Sequence, residues 1–279
     1  MTDQVETATS VDTARDYYNS GDADNFYHTI WGGEDIHVGL YRSDDESIFQ
    51  ASRRTIEQMA SRLHSLNEDA RVLDLGAGYG GAARYLANEY GCEVVALNLS
   101  EVENERDRTM NKAQSLDHLI EVVDGNFEDI PYDDNTFDIV WSQDSFLHSA
   151  ERGRILQEAA GVLKDGGELI FTDPMAANDC PGGVLQPILD RIHLEDLASP
   201  AFYQETAEEV GLREIGFQEE TQQLITHYSR VLEETERRED EIRENVSQDY
   251  IDHMKEGLEH WINGGEKGYL AWGIFHFQK

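Results

Sequence analysis

The sequence predicts an α/β fold: a seven-stranded, mostly parallel sheet with helices on both faces, an N-terminal helical lid and a C-terminal helical insertion. Two features of the chain point to it. From residue 71 onward, short and nearly all-apolar segments alternate with helical patterns, as parallel strands buried on both faces require. One of these segments, VLDLGAGYGG (Val72 to Gly81), runs into a turn of four glycines and then into a helical stretch, Ala82 to Tyr90. A helix that begins at such a turn directs backbone N–H groups and the positive end of its dipole at whatever lies above the strand.

Taken in order, the chain opens with a polar stretch and then an aromatic-rich segment, VDTARDYYNSGDADNFYHTIWGGEDIHVGLY, carrying Tyr17, Tyr18, Phe26, Tyr27, Trp31 and Tyr41. Its spacing predicts helices over about 12–19 and 22–30, stopped by glycines. These aromatics either plug the sheet edge or form a lid, where rings around a cationic ligand supply cation–π attraction and exclude water. Glu46 to Leu66 shows a helical apolar stripe through Ile48, Ile56, Met59 and Leu63. The strands follow at Arg71–Leu75, Glu93–Leu99, Ile120–Asp124, Phe137–Gln143 and Glu168–Thr172, with a sixth at Leu212–Glu219 and a last in GYLAWGIFHFQK. Between the last two strands, residues 222–260 show helical spacing and dense charge. The expected organisation is a lid over residues 1–60, a ligand-binding core over 61–178, and remaining strands with a helical insertion over 179–279.

Ligands of open α/β sheets sit beyond the carboxyl ends of the strands, so those ends hold the candidate site. Gly76, Gly78 and Gly81 match the G-x-G-x-x-G of dinucleotide-binding folds, but Asp74 would repel a pyrophosphate and suits a ligand with an ammonium group. The fourth strand ends in WSQDSFLHS, where Gln143 leaves the strand beneath the ligand. Asp144 and His148, four apart, share a face in a helical turn, where the carboxylate would orient the imidazole and raise its basicity. The fifth ends in FTDPM, from which Asp173 and Met175 are expected to reach the acceptor side.

D-L-G-A-G followed by G-G resembles the first motif of the class I S-adenosylmethionine-dependent methyltransferases, whose sheet is Rossmann-like and whose acid faces the methionine end of the cofactor. That resemblance implies a ribose-binding role for Asn98, at the place where most members carry Asp or Glu. DGNFEDIPY, Asp124 to Tyr132, is similar to the family's G-D-A-E-D-L-P-F, which implies an adenine-reading role for Asn126 and ring contact for Phe127. YY…FYHTIWG…HVGLY, DLGAGYGGAARYLA, SQDSFLHS, GELIFTDPM and LAWGIFHFQK together resemble the small-molecule amine methyltransferases, in particular the betaine-forming sarcosine/dimethylglycine N-methyltransferases of salt-loving bacteria. In the related phosphoethanolamine enzymes a lid tyrosine and a histidine after the fourth strand close over the acceptor. The matching positions here are Tyr18, with Tyr17 as the other register, and His148. The resemblance implies S-adenosylmethionine as cofactor, no metal, and a small amine acceptor walled by Trp31 and Tyr41, its carboxylate clamped by Arg42 or Arg191. Glycine/sarcosine, phosphoethanolamine and carbon acceptors stay open, and no basic cluster for a phosphate group is evident.

Composition narrows the classes. The chain of 279 residues has 22 basic against 57 acidic residues, a formal charge of −35, which disfavours nucleic acid and anionic membranes as partners. The acid excess runs along the whole chain, a pattern suited to high salt, where screening relieves self-repulsion. Cys92 and Cys180 are too few for a disulfide framework, and MTDQVETATS lacks the features of a signal peptide. The expectation is a soluble, cytoplasmic enzyme.

Overall fold

The computed structural model describes Arg15, Asn19 and residues 21–43, 45–192 and 194–279. Its seven strands are β1 (Arg71–Leu75), β2 (Glu93–Asn98), β3 (Ile120–Asp124), β4 (Phe137–Gln143), β5 (Leu163–Ala176), β6 (Arg213–Glu219) and β7 (Leu270–Gln278), in the order β3-β2-β1-β4-β5-β7-β6. Only β7 runs against its neighbours. This is the mostly parallel, Rossmann-like sheet expected. Order reversal between β1 and β4 opens a crevice at their carboxyl ends, where ligands of such sheets bind.

The helices that position the site are α1 (Gly21–Trp31), α2 (Ile48–Ala60), α3 (Gly81–Tyr90), α4 (Glu101–Ala113), α5 (Arg152–Val162), α6 (Gln186–Ile192), α7 (Pro200–Glu209), α8 (Thr221–Arg237) and, after a short turn at Glu239–Ile242, α9 (Gln248–Glu266). Local sequence sets their starts. Ser47 and Gln50 form a reciprocal capping box on α2, and the hydroxyls of Ser100, Ser199 and Ser247 accept from backbone N–H groups at the starts of α4, α7 and α9. Aromatic and aliphatic side chains fill both faces of the sheet, with Trp141, Phe171 and Phe275 fully buried. A third apolar cluster joins Phe26, Ile30 and Trp31 of α1 to Val231 of α8 and Ile251, Met254 and Leu258 of α9. This cluster thus draws on helices from both ends of the chain.

β5 is longer than the apolar pattern suggests, because β7 pairs with it in unbroken antiparallel register from Glu168↔Gln278 to Ala176↔Leu270. At its amino end Glu168 is buried and accepts from Ser65 and from the rings of His64 and His276, closing the edge of the sheet remote from the crevice.

Candidate functional site

The glycine turn is bound tightly to its neighbours. Gly76 N–H donates to Leu97 O at 2.8 Å and Ala77 N–H to the same carbonyl at 3.3 Å, tying the turn to β2. The hydroxyls of Ser142 and Ser145 donate to Leu75 O, tying it to β4. Gly76 has φ +73°, and a Cβ there would lie 2.5 Å from Ser145 Cβ, so both backbone conformation and contact demand glycine.

Beside this turn lies a cleft of about 760 Å³, measured out to its mouth. Gly76, Gly78, Asn98, Asn126, Phe127, Gln143, Asp144 and His148 all line it, as do Arg15, Ile36 and Glu103. Asn126 Oδ1 accepts from Glu128 N–H at 2.9 Å, and Phe127 sits edge-on against Phe146. Gln143 Oε1 accepts from the Trp141 indole at 3.1 Å, and its buried Nε2 has no partner among the described residues. Asp74 lies beneath the turn rather than in the cleft wall. It is 2 % exposed, its Oδ2 lacks a partner among the described residues, and burial together with the nearby Asp107 pushes its carboxyl up to about 8.

Glu103 escapes the sequence reading. The resemblance implied an acid at the position of Asn98; Asn98 Nδ2 donates at 2.9 Å to Glu103 Oε2, which brings a carboxylate into the same part of the cleft from the first turn of α4. The Ser100-x-x-Glu103 spacing is the signal that could have found it: the serine caps the helix and so fixes where the third helical residue points. Burial pushes this carboxyl up to about 7.

A second cleft, about 690 Å³, shares Ile36, Asp144 and His148 with the first. Its walls include Tyr27, Trp31, Tyr228 and Trp261, with Arg191 from α6 and the imidazoles of His37 and His227. Arg191 lies across the backbone of Gly257 on α9, where any Cβ would strike the guanidinium, and reaches Met254 Sδ.

Several expected site residues fall elsewhere. Asp173 and Met175 are buried and line neither cleft. With β5 continuing to Ala176 they point to the face opposite Pro174, and it is Pro174 that lines the second cleft. Asp173 instead accepts from Leu147 N–H and the Tyr203 hydroxyl, while Met175 joins the core. Arg42 is exposed and lines neither cleft, whereas Arg191 lines one. Tyr41 stands behind the wall, its hydroxyl 3.0 Å from His227 Nδ1. Tyr17 and Tyr18 lie outside the described residues.

The expected pairing of Asp144 with His148 also gives way. Asp144 has φ +51°, and only Phe146–His148 form a single 3₁₀ turn, so the two are not on one helical face. Asp144 accepts from Val38 N–H and from the Trp272 indole, both at 2.7 Å, which pins the 36–38 segment between the clefts. The basicity of His148 is lowered rather than raised: burial, then Arg152 and Arg191, hold it down to about 4.

The fold agrees with comparisons to known proteins. A family model described as a methyltransferase domain matches residues 73–171. The chain is 64 % identical to the sarcosine/dimethylglycine N-methyltransferase of Halorhodospira halochloris, covering 97 % of both proteins. The chain belongs to the sarcosine/dimethylglycine N-methyltransferase family. The like-named protein of Aphanothece halophytica is 52 % identical over 95 % of this chain and 96 % of its own length. A solved structure from Galdieria sulphuraria, described as a candidate sarcosine dimethylglycine methyltransferase, superposes with a TM-score of 0.88 at 44 % identity, covering 92 % of this chain and 98 % of that one.

Proposed function

We propose that this chain is an S-adenosylmethionine-dependent N-methyltransferase that converts sarcosine to dimethylglycine and dimethylglycine to glycine betaine. The observation that carries it is the pair of clefts meeting at Ile36, Asp144 and His148, one furnished for the cofactor and the other for a small zwitterionic amine.

The residues present fit the cofactor. We assign the Asp74 carboxyl, beneath the turn with one oxygen unpartnered among the described residues, to its ammonium group, whose charge would favour the ionised form; Glu103 with Asn98 suits the ribose hydroxyls, the Gln143 amide offers a donor, and Asn126 and Phe127 suit the adenine. When bound, S-adenosylmethionine supplies an electrophilic methyl on a sulfonium that is already a good leaving group. The protein's task is alignment and exclusion of water, an effect worth roughly 7–11 kcal/mol. Aromatic walls at Trp31, Tyr27, Tyr228 and Trp261 tolerate amines up to the quaternary product. Arg191 is the cation in that cleft that suits the acceptor carboxylate.

The amine must lose a proton before attack, and we assign to His148, at the junction of the clefts, the orienting of the amine and the receipt of that proton. A carboxylate on Arg191 offsets one of the two cations that depress His148, so acceptor binding itself raises the imidazole's proton affinity. Tyr18, or Tyr17 in the other register, is assigned to closing over the acceptor, and Asp144 to holding the wall. We read residues 1–60 as a lid, 61–178 as the cofactor-binding core and 179–279 as remaining strands with the inserted helices. Among the described residues no helix is long and apolar enough to cross a membrane, and the charge of −35 opposes anionic surfaces and nucleic acids, so the proposed setting is the cytoplasm.

The test is product analysis with labelled S-adenosylmethionine and sarcosine, dimethylglycine or glycine separately, in concentrated salt. Dimethylglycine and betaine are expected from the first two acceptors; methylation of glycine alone would overturn the assignment. His148→Ala should lower turnover far more than cofactor affinity, and equal loss of both would remove its proposed role.

A further inference from the structure

Two imidazoles in the acceptor cleft, His37 and His227, have no part in the scheme above. His227, on α8, is fully buried. Its Nδ1 accepts from Gly39 N–H at 3.1 Å and faces the Tyr41 hydroxyl at 3.0 Å. A backbone N–H donates only to a bare lone pair, so the ring's single proton is on Nε2. Burial holds the ring well below its usual range, to about 3, so it stays neutral. That Nε2–H is buried without a partner among the described residues. The same holds for the indole Nε1–H of Trp31, whose ring centre lies 5.5 Å from that of His227.

His37 has the opposite polarity. Its Nδ1 is 3.3 Å from Val38 O, an acceptor, so its proton sits on Nδ1 and its buried Nε2, without a partner among the described residues, presents a lone pair. Interiors seldom leave such groups unpaired, and here both donors stand together in one cleft with Arg191, while the orphan acceptor could only repel a carboxylate.

We propose that His227 Nε2–H, with Trp31 Nε1–H beside it, binds the carboxylate of the N-methylated amino acid together with Arg191, and thereby sets which end of the acceptor faces the cofactor. This rests on the function proposed above. Tyr41 and Gly39 act through His227, by fixing the tautomer that puts a donor in the cleft. Two neutral donors and one guanidinium recognise a singly charged carboxylate.

The test uses His227→Asn and Trp31→Phe in the full chain. Asparagine can still accept from Gly39 N–H but does not reach the Nε2 position, and phenylalanine keeps an aromatic ring while removing the donor. Each variant should raise KM for dimethylglycine about ten- to hundredfold, the loss of one hydrogen bond to a charged group, with a smaller change in kcat. Calorimetric affinity for S-adenosylhomocysteine and Tm should stay close to wild type for Trp31→Phe. A KM within twofold of wild type in both variants would overturn the proposal, as would KM losses matched by equal losses of S-adenosylhomocysteine affinity. Wild-type protein inactive on both sarcosine and dimethylglycine would instead overturn the function on which it rests.

Discussion

Glu103→Gln separates a ribose-binding carboxylate from a helix-capping accident. The free protein holds this carboxyl at about 7, chiefly through burial, with Asn98 donating to it and working against the rise. Hydroxyl groups that donate to the ionised form lower its pKa in the complex, so cofactor binding releases a proton and affinity climbs with pH up to about 7 before levelling off. The ionised fraction is about one tenth at pH 6 and nine tenths at pH 8, so this group alone makes wild-type affinity about tenfold weaker at pH 6. Glutamine keeps the bond from Asn98 but loses the charge. At pH 8 it should weaken S-adenosylhomocysteine binding about ten- to hundredfold, the worth of a hydrogen bond to a charged acceptor. The deficit should shrink about tenfold at pH 6, where the wild-type group is itself protonated. Calorimetry at the two pH values measures both. The stability sign supplies a control: a carboxyl raised in the fold contributes stability that is present below its unfolded pKa and lost as pH rises through 7, so the variant's Tm at pH 8 should not fall. A wild-type-to-variant ratio that is the same at both pH values would refute the reasoning.

Gly257→Ala places a methyl where Arg191 crosses α9, so KM for dimethylglycine should rise at least tenfold while S-adenosylhomocysteine affinity holds; steady-state kinetics beside calorimetry checks it, and an unchanged KM would free Arg191 from its assigned contact. Asp144→Asn leaves one carbonyl oxygen to serve the two donors at Val38 and Trp272, so thermal denaturation should show a loss of about 1–3 kcal/mol, with lower kcat/KM on both acceptors. With a formal charge of −35, Tm should rise as potassium chloride goes from about 0.1 to about 1 M, where the screening length falls from about 10 to about 3 Å; a flat response would mean that self-repulsion does not limit this fold.

Local pattern was enough wherever the physics is local. The alternation of apolar strands with helices, the glycine turn of Gly76 and Gly78, and the polar run from Gln143 to His148 all lie close in the chain, and the structure brings them to one crevice. The failures came where a partner distant in sequence sets the geometry. Asp173 and Met175 looked like residues past a strand end, and β7, nearly a hundred residues later, prolongs the strand through them. Asp144 looked like a partner for His148 by spacing, but a backbone N–H at Val38 and an indole at Trp272 take its oxygens.

By itself, then, the sequence determined the alternation of strands and helices, the glycine turn and the charge, because each depends on periodicity or on neighbours a few residues apart, while the class of chemistry followed from the resemblance of its motifs to a known family. The acceptor cleft was decided only in three dimensions. Its walls come from α1, the 36–38 segment, the turn after β4, Pro174 of β5, α6, α8 and α9. Side chains more than two hundred positions apart, such as Trp31 and Leu258, share one wall there only because apolar burial packs α1 against α8 and α9.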